Sequence, residues 1–197
     1  EAIIIAAGAT TGSVTIAAPS DDVHVDAGSV ARTIASASGG NFEALTVDPA
    51  AATTTVTDTI DTTTVSITGD GVVAEGATAS YTVSLTSAAQ TAVTVNLSYS
   101  GVALDGTDFS GVVTVTIAAG SSSATFDIAT IDDLIDEVAA ESFTVSVTSA
   151  TGGNFENLVV SGSNNSVTTS ITDNDNAPAI SVSSPTLAEA GGFAQFT

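Results

Sequence analysis

Apolar and polar residues alternate with a period of two along most of the chain, which is the pattern of half-buried β-strands. Tyr81, Val83 and Leu85 share one face of such a segment, and Thr82 and Ser84 share the other. The alternation recurs around 93–99, 113–117, 124–128, 143–147 and 167–171. Turn residues separate the segments, and no stretch shows a helical period. The pattern predicts an all-β fold, an antiparallel β-sandwich.

The chain also repeats itself, and the repeat determines the predicted domain organisation. Gly39-Gly40-Asn41-Phe42-Glu43 returns as Gly152-Gly153-Asn154-Phe155-Glu156, and Ile5-Ala6-Ala7-Gly8 returns as Ile117-Ala118-Ala119-Gly120. The repeating unit is about 113 residues, the size of one sandwich domain. We predict three parts: the C-terminal part of a preceding repeat (1–62), one complete repeat (63–176) and the first strands of a third (177–197). We also expect the chain to be a segment of a longer one.

Composition and charge exclude several classes of function. Hydrophobic residues make up 43% of the 197 residues, which is enough for a core. The formal net charge is −21, and Arg32 is the only Lys or Arg, so neither a nucleic acid nor an anionic membrane surface is expected as a partner. The absence of cysteine excludes disulfides and thiolate metal sites. No apolar run is long enough to predict insertion into a membrane.

The acidic residues gather at the ends of the predicted strands. Five of them lie in the ten residues from Asp132 to Glu141, with no basic residue nearby. Such carboxylates repel one another unless they stay solvated or hold a cation, and Ca²⁺ takes six to eight oxygen ligands. Alternate loops of a sandwich meet at one end, so we expect Glu75, Asp108 and the segment 173–175 to converge with this cluster. The alternative is that these acids occupy turns because turns are solvated.

The acidic segments, taken in order, resemble a Calx-beta-type domain. The motifs are Glu75-Gly76, Gly106-Thr107-Asp108-Phe109, Ile131-Asp132-Asp133-Leu134-Ile135-Asp136 with Glu141-Ser142-Phe143, and Asp173-Asn174-Asp175. More narrowly, residues 63–176 resemble the tandem immunoglobulin-like extender repeats of giant bacterial RTX adhesins. The resemblance implies these calcium ligands: Glu75, Asp108, Asp132, Asp133, Asp136, Glu141, Asp173 and Asp175. Glu137 and Asp105 are secondary candidates.

The same resemblance implies a non-catalytic module. It would act as a calcium-stabilised rigid spacer in a large adhesin on the bacterial cell surface, exported by a type I system and used in attachment and biofilm formation. Neighbouring repeats of the same chain would be its partners. An alternative is a subunit of an extracellular fibre or surface layer, in which like molecules exchange strands. A glycan-binding or ice-binding module and an enzyme fit the sequence less well, because exposed aromatic arrays and a distinct acid–base pair are both missing from the pattern.

The preceding repeat departs from the acidic pattern. It keeps three acids in the corresponding loop, namely Asp21, Asp22 and Asp26. Glu141-Ser142-Phe143 is matched there by Ala31-Arg32-Thr33, and the segment after the last strand reads Asp58-Thr59-Ile60-Asp61. We therefore expect a weaker, altered or empty metal site in residues 1–62. His24 has neither Cys nor a second His to accompany it, so we expect a surface loop residue there.

Overall fold

The computed structural model describes residues 1–136, 141–187, 189–191 and 193–196. Within these ranges the regular structure consists of twelve strands: β1 Gly28–Arg32, β2 Ala52–Val56, β3 Thr62–Gly69, β4 Val72–Ala74, β5 Thr78–Leu85, β6 Val93–Gly101, β7 Phe109–Ser110, β8 Thr114–Ile117, β9 Ser123–Thr130, β10 Glu141–Gly152, β11 Asn157–Val160 and β12 Ser166–Thr172. The described part of the chain contains no helix long and apolar enough to cross a membrane.

Ten of these strands form two five-stranded sheets, which make up a sandwich. One sheet has the order β4-β12-β10-β6-β8, and the other has the order β11-β3-β5-β9-β7. The all-β sandwich is confirmed, but its pairing is not antiparallel throughout. β11 pairs with β3 in parallel, and β12 pairs with β4 in parallel. The second parallel pair arises because the chain changes sheets between Gly69 and Val72, so that β4 joins the sheet opposite to β3.

The core lies between the two sheets and follows the alternation in the sequence. Tyr81, Val83 and Leu85 are buried, as predicted for one face of β5. The rings of Phe109 and Phe143 stack with centroids 4.2 Å apart. Inward-facing residues of a period-two pattern meet across the sandwich, and their removal from water is the main source of stability.

One buried polar contact joins the two sheets within this core. The hydroxyls of Tyr81 and Thr169 are hydrogen-bonded to each other, and the Thr169 hydroxyl donates to the carbonyl of Asp70 at 2.5 Å. Burial raises the pKa of Tyr81, an effect opposed by the hydrogen bond to Thr169 and reinforced by the charge of Asp70. Both hydroxyls therefore have partners, as buried polar groups require.

Residues 1–62 reproduce part of this fold. β1 and β2 pair with Gly28 opposite Val56, just as β10 and β12 pair with Glu141 opposite Ile171. The repeated Gly-Gly-Asn-Phe-Glu motif also has the same backbone, since Asn41 and Asn154 have φ angles of 52° and 59°. Left-handed angles of this kind are uncommon outside glycine. Their recurrence shows that the repeated sequence has a repeated local conformation.

The strand register corrects one comparison made from the sequence. It places Gly28, and not Ala31, at the position of Glu141, and it places Arg32 at the position of Val145. The sequence comparison was wrong by three residues, two of which come from the shorter preceding loop: seven positions separate Asp21 from Gly28, whereas nine separate Asp132 from Glu141. The preceding repeat therefore has glycine in place of the acid that opens β10.

Candidate metal centre

Three of the predicted ligands meet at one end of the sandwich. Glu75, Asp173 and Asp175 each offer a carboxylate oxygen, and the three oxygens lie within 4.8 Å of one another. The parallel pairing of β4 with β12 explains this position, because both strands end at the same edge of the sheet. Glu75 directly follows β4, and its backbone N–H donates to the carbonyl of Thr172 at 3.0 Å. We call this end of the sandwich the exit pole.

The burial of these carboxylates sets the electrostatics of the exit pole. Glu75 is 9% exposed, and both aspartates are half-buried. Asp173 Oδ1 accepts a hydrogen bond from the backbone N–H of Asp175 at 2.9 Å. Asp175 Oδ2 is buried and has no hydrogen-bond partner among the described residues. A buried carboxylate oxygen without a donor is costly unless a cation compensates it.

Desolvation raises the pKa of Asp175, and the negative charges of Asp173, Asp132, Asp133 and Asp136 raise it further. All four neighbours disfavour the ionised form of the carboxyl group, and like charges at a short distance are known to have this effect. A divalent cation would reverse the balance, because it favours ionised ligands. The cluster is therefore an arrangement of partly desolvated like charges, which a cation would stabilise.

The loop before β10 brings further acids to the exit pole. Asn174 Nδ2 donates to Asp132 Oδ1 at 2.9 Å and to the carbonyl of Glu75 at 3.2 Å, so it joins this loop to the three-carboxylate group. Gly76 has a φ angle of 70°, and a Cβ atom there would lie 3.1 Å from the Cβ of Asp132. The approach of the two loops is therefore close at this point. Asp133 Oδ1 accepts a hydrogen bond from the N–H of Ile135 at 2.7 Å.

The remaining predicted ligands take different positions. Glu141 opens β10 opposite Ile171, two residues before Asp173, but its carboxylate is outside the three-oxygen group. Asp108 Oδ2 accepts a hydrogen bond from the N–H of Leu104 at 2.5 Å and so caps its own loop. Asp105 Oδ1 likewise accepts one from the N–H of Gly111 at 2.7 Å. Glu137 lies outside the described residues. The structure thus brings together only part of the predicted ligand set.

A second group of carboxylates lies where residues 1–62 meet the sandwich. Asp21, Asp58 and Glu156 offer oxygens within 4.8 Å of one another. Asp58 follows β2 as Asp173 follows β12, so these two acids are equivalent in the repeat. Glu156 was not predicted from the sequence. The only sequence signal for Glu156 is that Glu is the last residue of the repeated motif in both copies. Its position in this group could not be predicted, because its partners come from the other part of the chain.

The electrostatics at Glu156 are mixed. The backbone N–H of Asp61 donates to Glu156 Oε2 at 2.5 Å, and this bond lowers the pKa of Glu156. Desolvation, a hydrogen bond with Asp58 and the charges of Asp58 and Asp61 raise that pKa and prevail. The preceding repeat was expected to have a weaker, altered or empty site. Two of its acids, Asp21 and Asp58, group with Glu156, a residue from the next repeat.

His24 belongs to this junction, so the expectation of a surface loop residue was wrong. Its side chain is only 14% exposed. The imidazole stacks on Phe155 with centroids 5.1 Å apart, and Nε2 lies 3.0 Å from the carbonyl of Ala88. Backbone hydrogen bonds from Val25 to Asn154 and from Glu156 to Val23 fix the same contact. We call the end of the sandwich that carries Phe155 and Glu156 the entry pole.

The fold and its carboxylate clusters define an immunoglobulin-like β-sandwich with an acidic exit pole. A family model, the LapA domain, matches residues 1–59 and 61–174, so the chain belongs to the LapA domain family, which is associated with bacterial adhesins. Among solved structures, the chain is similar to the apo form of the Calx CBD1 domain, with 23% identity, a TM-score of 0.49 and coverage of 57% of this chain and 98% of that one. No curated protein matches the chain.

Proposed function

We propose that this chain is a calcium-stabilised extender segment of a large extracellular bacterial adhesin, where it acts as a rigid spacer in cell attachment and biofilm formation. Membership of an adhesin-associated family supports a surface location and a structural, non-enzymatic role. The observation that carries the calcium part is the buried oxygen of Asp175, which has no described hydrogen-bond partner inside a group of three carboxylates. Adjacent repeats of the same chain are its partners.

The dimensions of the exit-pole group fit calcium. Ca²⁺ binds oxygen at about 2.3–2.6 Å, so two ligands on opposite sides of one ion are about 4.6–5.2 Å apart. The three carboxylate oxygens lie within 4.8 Å of one another, which is inside this limit. Mg²⁺ requires near-ideal octahedral geometry and usually keeps several of its waters, whereas Ca²⁺ accepts a flexible shell of six to eight oxygen ligands. The donors are all hard oxygen atoms, as calcium prefers.

The positions of the ligand residues relative to the strands indicate what bound calcium would do. Glu75 follows the first strands of the repeat, Asp173 and Asp175 follow the last strand, and Asn174 links them to Asp132. An ion held by this group would neutralise the repulsion between these segments and tie the beginning of the repeat to its end. The free energy of binding would then be part of the free energy of folding.

The two poles support the role of a spacer. Residues 1–62 contact the entry pole through His24, which stacks on Phe155 of the sandwich. The chain leaves the sandwich at the exit pole, after Thr172. β10 runs from Glu141 at the exit pole to Gly152 at the entry pole. A strand of this length spans about 36 Å, at about 3.3 Å per residue. Entry and exit at opposite ends of each repeat would produce an elongated molecule.

Calcium titration of the chain by isothermal calorimetry tests the assignment of the ligands. Asp173→Ala should weaken calcium binding by about tenfold or more, since it removes a charged oxygen ligand from the group. Asp132→Ala should weaken it as well. Asp127→Ala is the matched control, because Asp127 lies exposed on β9 and accepts a hydrogen bond from the Ser80 hydroxyl at 2.7 Å. Equal losses in all three variants would indicate bulk charge and contradict a defined site.

A further inference from the structure

Asn174 stands between the two aspartates of the exit pole and joins three segments of the chain. Its Nδ2 atom donates hydrogen bonds to Asp132 Oδ1 at 2.9 Å and to the backbone carbonyl of Glu75 at 3.2 Å. Both partners are acceptors, so the nitrogen of the amide must face them, and its two hydrogens serve one acceptor each. The backbone N–H of Glu75 in turn donates to the carbonyl of Thr172. Asn174 therefore helps to fix the backbone from which Glu75 reaches the three-carboxylate group.

The bond to Asp132 opposes the repulsion within the exit pole. Desolvation and the charge of Asp173 raise the pKa of Asp175, and the charge of Asp132 raises it further, so these carboxylates act on one another. With no donor between them, this repulsion would push the exposed loop of Asp132 away from the pole. Asn174 supplies the donor. A carboxylate has two oxygens, so a hydrogen bond to one of them leaves the other for a cation.

The preceding repeat makes the same contact with a different donor. Thr59 occupies the position of Asn174, three residues beyond the last pair of the β1–β2 ladder and of the β10–β12 ladder, respectively. The Thr59 hydroxyl donates to Asp21 Oδ2 at 2.5 Å. Asp21 is the first residue of the Asp-Asp pair before β1, just as Asp132 is the first residue of the pair before β10. Both repeats therefore place a side-chain donor on the same aspartate, although the donors differ in chemistry.

We propose that Asn174 is the positioning residue of the exit-pole calcium site, and that it acts by holding the Asp132 carboxylate beside the three-carboxylate group. The inference rests on the proposed function, since it concerns how tightly the exit pole binds calcium. Asn174 holds two acceptors with its two amide hydrogens, whereas Thr59 has a single hydroxyl hydrogen and holds one. The residue at this position thus sets part of the calcium affinity of a repeat, and Asn gives the tighter site.

Calcium titration by isothermal calorimetry of four chains tests the proposal: the wild type, Asn174→Ala, Asp132→Ala and the double variant. Asn174→Ala should weaken binding by about tenfold, the lower end of the effect of residues that orient metal ligands. If Asn174 acts through Asp132, its removal from the Asp132→Ala chain should weaken binding by less than about a further twofold. Losses that multiply in the double variant would overturn the proposal, because Asn174 would then act independently of Asp132.

Two further variants separate positioning from a purely structural role. Asn174→Thr supplies the donor that the preceding repeat uses, so this chain should bind calcium more tightly than Asn174→Ala and less tightly than the wild type. Asn176→Ala is the matched control, because Asn176 is exposed and lies two residues further along the chain. Its calcium affinity should equal that of the wild type. An Asn174→Thr chain that binds no better than Asn174→Ala would contradict the proposal, as would an equal loss in the control.

Hydrogen exchange followed by NMR tests the same contact in calcium-free buffer. The side-chain amide protons of Asn174 should exchange with water more slowly than those of Asn176, and Asp132→Ala should remove most of this difference. Equal exchange at the two asparagines of the wild-type chain would overturn the proposal. A wild-type chain that binds no calcium would overturn the proposed function and this inference with it. Calcium binding that Asn174→Ala leaves unchanged would overturn this inference alone.

Discussion

Chelation with EDTA is expected to lower the melting temperature of the chain by about 10 °C. If free calcium before chelation is about 100 times the dissociation constant, the bound ion contributes about 2.7 kcal/mol to the free energy of unfolding. Glu75, Asp173 and Asp175 would then repel one another with no cation between them, and Asp175 Oδ2 would be buried without a described partner. Circular dichroism at increasing temperature measures the shift.

Two controls make this melting experiment specific. Addition of excess calcium should restore the transition, whereas an equal concentration of magnesium should restore less of it, because Mg²⁺ demands near-ideal octahedral geometry and loses its water ligands reluctantly. The Asp173→Ala chain should melt lower than the wild type in calcium and should respond little to EDTA. If the wild-type transition does not change on chelation, calcium has no part in the stability of this fold.

Much of the fold could be predicted from the sequence because a strand places alternate side chains on opposite faces. The pattern at Tyr81, Val83 and Leu85 is a local property, and it correctly identified a buried face. The alternation of apolar and polar residues was a less reliable guide at strand ends. Val113 fits the alternation of the following strand, but it precedes β8 and is 66% exposed. The change of sheets after Gly69 has no periodic signal, so the parallel pairing of β4 with β12 could not be predicted.

The candidate site was only partly predictable for a related reason. Glu75 and Asp173 were identified because they stand at strand ends, and the parallel pairing of β4 with β12 brings those ends together. Asp108 has the same residue type in a similar turn, yet its carboxylate caps its own loop. The residue type alone does not distinguish a metal ligand from a residue that caps a loop, since both roles use a carboxylate oxygen. Glu156 joins its carboxylate group through a contact between two repeats, and a local sequence pattern does not indicate such a contact.

Removal of the aromatic ring of Phe155 is expected to cost the chain about 3 kcal/mol of stability, at the lower end of the range for Phe→Ala changes in a core. Phe155 is 9% exposed, packs in the core cluster and stacks on His24. Phe155→Ala should therefore destabilise the sandwich and loosen its contact with residues 1–62 at the same time. Denaturant unfolding followed by circular dichroism measures the first effect.

The chain contains its own matched control for this substitution. Phe42 occupies the same motif with the same backbone conformation, but it is 68% exposed. Phe42→Ala should change the free energy of unfolding by less than about 0.5 kcal/mol, as is usual for surface positions. Because the two motifs share sequence and local structure, a difference between the variants would come from the packing around each ring. Equal losses would contradict the difference in burial between Phe42 and Phe155.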